Sequence, residues 1–260
     1  MNLKLVYILI AFIFLIGSSV IAQDVKEIPE TDNTVPAITL LPSPGEVLNA
    51  LSKIGQVDWS NLVSYNKFYN YKGRNRQALN IGIRVADAFV ALHDEDKANF
   101  GDMNNVIYSL SEELSISSLI EEQKNKLQEL SQKDDWVLLI IELNTMNGQL
   151  QEELIKQKEY DIVLLSNVGA FFEGVFIISS HFASNYDVSK VGLLKQIALV
   201  NYYIGEIDNN KELKEDATVD FAYNGLIQIK SLLDADADLS INTVGRMQAV
   251  ASSVVNSITK

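Results

Sequence analysis

The sequence predicts an all-α fold: a multi-helix bundle of about eight to ten mostly antiparallel helices, a single domain after a signal peptide and a Pro-containing tether. Three observations predict it. All four Pro lie between residues 29 and 44, so the chain from residue 45 onward is free of the residue that most strongly breaks helices. Apolar residues recur three and four apart throughout that run. The segments between them are short and carry turn residues, as in Tyr71-Lys72-Gly73, His93-Asp94-Glu95-Asp96, Asp208-Asn209-Asn210 and Asp234-Ala235-Asp236. Short connections favour antiparallel neighbours.

Residues 1–22 read as a secretory signal: Lys4 in a short polar start, an apolar run over 5–16, and a small-residue end. Val20 and Ala22 satisfy the small-residue rule, so cleavage would leave Gln23 first; an uncleaved anchor is the alternative. Residues 23–43 hold three of the four Pro among polar residues and read as a flexible tether. The helical domain then spans 44–260. Its first helix announces itself with Ser43 as N-cap, Pro44 at the first position and Glu46 three residues after the cap.

The periodicity predicts helices over 44–54, 58–71, 75–93, 102–115, 117–132, 134–157, 159–184, 187–207, 213–234 and 240–258. The stretch 159–185 is the most apolar after the signal and is expected at the centre, with Gly169, Ala170 and Gly174 permitting close approach of a neighbour. It is interrupted by polar residues, and no segment after the signal is expected to span a bilayer. Asn80-Ile81-Gly82 with Phe89-Val90 is echoed at the same offsets by Asn167-Val168-Gly169 with Phe176-Ile177. The match is short and uses common core residues, so coincidence is the preferred reading and a pseudo-symmetric bundle the alternative.

Composition excludes several function classes. The formal net charge is −13, and loss of Lys4 with the signal makes the mature chain more acidic still, which argues against nucleic acid or an anionic membrane surface as partner. The absence of Cys removes disulfides, iron–sulfur clusters, covalent c-type haem and lipoprotein attachment. An exported chain without disulfides points to the bacterial cell envelope, periplasmic or secreted. No cofactor and no metal are expected. The two His lack the Glu-x-x-His pattern, and the string Asp234-Ala235-Asp236-Ala237-Asp238 departs from a calcium loop at Leu239 and Gly245. Asp238 or Ser240 is expected as an N-cap instead. Phosphate-binding glycine loops and nucleophile elbows are missing.

Two sets of residues remain as candidates. Glu173 and His181 are ionisable groups in an otherwise apolar helix, and Arg84 and Asp87 stand three apart on the third helix, able to pair. Gln77, Asn80, Arg84, Asp87 and Asp94 also draw a polar stripe, and a solvated stripe is the preferred reading; Glu142 is expected to be exposed by the same argument. The second set is the basic, aromatic string that contains Tyr69, Tyr71, Lys72, Arg74 and Arg76, suited to an envelope protein or a glycan; a helix core face with basic residues decorating its C-terminal end is the preferred reading of the string itself. The leading expectation is a non-enzymatic binding or scaffold domain using that patch. The alternative is a small-ligand carrier with an interhelical pocket near Glu173 and His181, and a carboxylate-dependent enzyme ranks third. A pocket lined by Glu173, Asp87 and Arg84 would favour the last two, and a solid core with the patch exposed would favour the first.

Overall fold

A computed structural model describes residues 42–260, in which ten α-helices and three short 3₁₀ turns account for all regular structure. The predicted signal peptide and residues 23–41 of the predicted tether lie outside the described residues.

Helix α1 (Pro44–Ile54) starts as its sequence requires. The Ser43 hydroxyl accepts the Glu46 N–H at 3.1 Å, and the Glu46 carboxylate accepts the Ser43 N–H at 2.7 Å, so two otherwise orphaned donors are satisfied reciprocally. Gly55 ends it. The helix expected over 58–71 does not form. A single 3₁₀ turn at Trp59–Asn61 is followed by a strap without regular structure up to Gly73. Its Asn and Ser side chains compete for the backbone, as where Asn66 Oδ1 accepts the Phe68 N–H at 2.9 Å. Tertiary anchors then hold it extended: Asn66 Nδ2 and the Tyr71 hydroxyl both donate to the Thr259 carbonyl.

Helices α2 (Arg74–His93), α3 (Lys97–Glu113), α4 (Glu121–Gln132) and α5 (Trp136–Lys156) follow in close succession. Each ends in the same device. The N–H two residues past the cap returns to a carbonyl five residues earlier, as in Asp96 to Ala91 and Glu159 to Leu154, and the residue between takes a left-handed conformation. Those residues are Glu95, Ser115, Asp134 and Lys158, none of them Gly. α3 begins earlier than expected because Asp96 caps it, accepting the Asn99 N–H at 3.0 Å.

Helix α6 (Tyr160–Ser184) runs through the centre, buried on nearly all sides. By length and composition it is apolar enough to cross a membrane, contrary to expectation, but the protein itself buries its most apolar window. The expected helix over 187–207 is shortened to α7 (Ile197–Asn209), because Asp187 accepts the N–H and hydroxyl of Ser189 in a turn. That over 213–234 divides into α8 (Lys211–Glu215) and α9 (Ala217–Ala235), separated by Asp216 capping Thr218 and Val219. α10 (Ile241–Thr259) closes the described chain with Ser240 as N-cap.

The α2–α6 crossing organises the core, and the sequence echo falls on it. A Cβ on Gly82 would stand 1.7 Å from the Ser166 carbonyl oxygen, and one on Gly169 would stand 2.0 Å from that of Leu79. Each glycine thus receives the backbone three residues before the other, and the two contacts are exchanged by the echo. The echo therefore has a geometric meaning: a pseudo-twofold crossing of two helices whose backbones touch. Arg74 at the start of α2 pairs with Glu159 at the start of α6, and Asp87 meets Glu173 further along both, so α2 and α6 run in the same direction. α10 runs against α6, with Gln248 bonded to Ser180 near one end and Asn256 beside Glu173 near the other.

Candidate ligand-binding cleft

The crossing has two flanks related by the same echo, and they differ in chemistry. On one flank Ala86, Ala170, Phe171 and Gly174 form an apolar groove covered by α1, whose Gly45 packs against Phe89. On the other flank the equivalent places hold Glu173 for Ala86, Arg84 for Phe171 and Asp87 for Gly174. Among the described residues α10 and the strap border this flank, leaving a cleft of about 560 Å³ between strap, α2, α6 and α10.

The floor is a buried polar cluster. Arg84 is 2% exposed, Asp87 2% and Glu173 3%, so the expected solvated stripe on α2 is overturned: Gln77 and Asn80 are buried with them. Helical spacing groups residues on one face but does not say whether water or another helix covers that face. Here α6 and α10 cover it. Arg84 Nη1 donates to Asp87 Oδ2 at 2.8 Å, and Nη2 donates to the Tyr71 hydroxyl at 3.2 Å. The Tyr71 hydroxyl donates in turn to the Thr259 carbonyl at 3.3 Å, tying the cluster to the end of α10. Asn80 Nδ2 donates to the carbonyls of Arg76 at 2.9 Å and Ile258 at 3.1 Å.

Charge in this cluster is unevenly matched: two carboxyl groups face one guanidinium. Burial pushes Glu173 well above the usual carboxyl range, and the neighbouring Asp87 adds to this while Arg84 opposes it. Burial also raises Asp87, against the pull of Arg84. For Arg84 burial works against the charge, but Asp87 and Tyr71 outweigh it. The Tyr65 hydroxyl is raised by burial and by the acidic neighbours Asp87, Asp94 and Asp96.

Three side-chain atoms here are buried without a hydrogen-bond partner: Tyr65 OH, Arg84 Nε and Glu173 Oε2. All three residues line the cleft. Buried polar atoms are almost always paired, because each unpaired one costs about 1–3 kcal/mol. Phe176 and Val255 add apolar surface, and Ser64, Asn66, Ser252, Asn256 and Thr259 line it with further polar groups.

The remaining candidates are placed elsewhere. His181 is buried on α6, its ring edge-on to Phe182 at 5.2 Å, and it does not line the cleft. Burial and Lys190 lower its pKa. The basic aromatic string does not form one patch. Tyr71 is buried in the cluster, Arg76 donates to the Ile258 and Ser257 carbonyls at 2.8 and 3.0 Å, and Arg74 donates to Glu159 at 2.6 Å. Tyr69 and Lys72 are exposed. Glu142, expected to be exposed, is buried and paired with Lys126 of α4, since α4 lies over that face of α5. In the acidic string, Asp234 pairs with Lys230, and Asp236 accepts from Ser240 N–H and the Thr243 hydroxyl. Among the described residues no three His, Cys, Asp or Glu gather as a metal would require.

Sequence reasoning missed Tyr65, Phe176 and the α10 wall. Tyr65 carried a signal, standing in the basic aromatic string without an acidic neighbour. Ser252 and Asn256 carried none, being ordinary polar residues four apart on a helix. Comparison with known proteins finds no matching family model, no matching curated protein and no matching solved structure.

Proposed function

We propose that this protein binds a small polar ligand in the cleft above Arg84, Asp87 and Glu173, as an exported carrier or receptor. The observation that carries this reading is that three residues with an unpartnered buried polar atom, Tyr65 (OH), Arg84 (Nε) and Glu173 (Oε2), line one cleft. A volume of about 560 Å³ is in the range of pockets that hold small molecules. Export rests on the signal-like residues 1–22, and the absence of Cys agrees with a domain that relies on its core. The scaffold reading ranks second here, because Tyr71 is buried and Arg76 is bonded to the end of α10, while Tyr69, Lys72 and Arg74 remain exposed. The ligand reading is tested by native mass spectrometry of the protein purified gently from its own host, with a thermal-shift screen against small polar metabolites. A bound mass of a few hundred daltons that is lost in Glu173→Leu supports it. A bare chain with no thermal shift across the screen overturns it.

A further inference from the structure

Resting on that reading, the cleft's polar inventory narrows the ligand class. Its floor holds two buried carboxyl groups and one guanidinium, and that guanidinium is committed to Asp87 at 2.8 Å. Glu173 shares a hydrogen bond with Asp87 but has no cation of its own, and its Oε2 has no donor. We propose that the cleft receives a small organic cation, an amine whose ammonium N–H groups donate to Glu173 Oε2 and the Tyr65 hydroxyl beside the Phe176 ring. The aromatic faces of Tyr65 and Phe176 favour a cation, and an acceptor oxygen on the same ligand would satisfy Arg84 Nε. An amino alcohol or amino sugar has both groups.

The ionisable and charged groups that face this position are Tyr65 and Lys67 from the strap, Arg84 and Asp87 from α2, Glu173 from α6 and Lys260 after α10. Lys67 is exposed and already paired with Asp102, and Lys260 is exposed, so water screens both, whereas Glu173 is buried and screened little. The acidic surface of the whole chain would further concentrate cations near the cleft.

An ammonium at Glu173 replaces the proton that burial otherwise keeps on the carboxyl. The carboxyl proton passes to solvent, the ammonium keeps its own, and Glu173 becomes the anion of a new ion pair. Amine affinity therefore rises with pH above the ordinary Glu range, by as much as about tenfold per pH unit while the empty cleft retains its proton.

Isothermal titration with ethanolamine and glucosamine, each against an uncharged counterpart (ethylene glycol and glucose), tests this on the full chain at several pH values. The expected result is that one or more amines bind with proton release, visible as a dependence of the heat on buffer ionisation, and that Glu173→Gln weakens this at least tenfold while Tyr65→Phe weakens it less. Equal binding of an uncharged counterpart, or unchanged amine binding to Glu173→Gln, overturns the cation proposal and leaves the ligand reading standing. Absence of amine binding overturns the proposal as well, and the metabolite screen then decides the ligand reading independently.

Discussion

Glu173 carries the most consequential single-residue chemistry. Its folded pKa is raised, so between the ordinary Glu value of 4.5 and the folded value the native state holds more protons than the unfolded chain. Stability from this group is therefore whole below the ordinary value and is lost as pH rises towards and through the folded one. Glu173→Gln keeps the shape and cannot ionise, so the expected outcome is equal stability near pH 4.5 and a variant that gains on the wild type as pH rises to 8. The slope is at most about 1.4 kcal/mol per pH unit. Urea unfolding at pH 5 and pH 8 measures it, and a variant less stable by the same amount at both would assign Glu173 a structural hydrogen bond instead.

Helix crossings and helix ends supply tests at the next scale. Gly82→Ala places a Cβ against the Ser166 carbonyl at 1.7 Å, and a backbone atom cannot swing aside, so α2 and α6 must separate. The expected loss is about 3 kcal/mol. Gly148→Ala, on the exposed face of α5 with nothing within 4 Å, should instead gain about 0.5–1 kcal/mol through helix propensity. Thermal unfolding of the pair would show opposite shifts. Ser115 and Lys158 are exposed residues held at φ 63°, where a Cβ costs about 1 kcal/mol, so Ser115→Gly and Lys158→Gly should each stabilise by roughly that amount. A loss of stability in both would mean that backbone entropy in the unfolded chain outweighs the relief.

Across the whole molecule, strap, cleft and α10 are coupled. The carbonyls of Ser257, Ile258 and Thr259, left open by the end of α10, are taken by Arg76, Asn80, Asn66 and Tyr71, and Tyr71 also holds Arg84. Occupation of the cleft should be felt along this chain of bonds. A ligand present at 100 times its Kd stabilises the fold by about 2.7 kcal/mol. Amide exchange should then slow in the strap over 64–71 and in the last turn of α10, more than in α3 or α4. Uniform slowing throughout would place the effect on global unfolding alone.

The sequence by itself determined the all-helical class, the start of α1 at its capping box and the central place of α6, because each rests on local signals: absence of Pro, apolar period, and side chains that reach their own backbone. It also contained the Asn-x-Gly echo and the residues Arg84, Asp87 and Glu173. Only the tertiary structure decided what these meant. The period of three and four that drew Arg84 and Asp87 as a surface stripe is the same whether water or another helix lies over it. The strap has the apolar period of a helix, but the distant Thr259 carbonyl holds it extended. Glu173 lines a cleft because the crossing that the echo fixes is packed against α1 on one flank and only bordered by the strap and α10 on the other. Such placement depends on contacts between residues far apart in the chain, which no local pattern encodes.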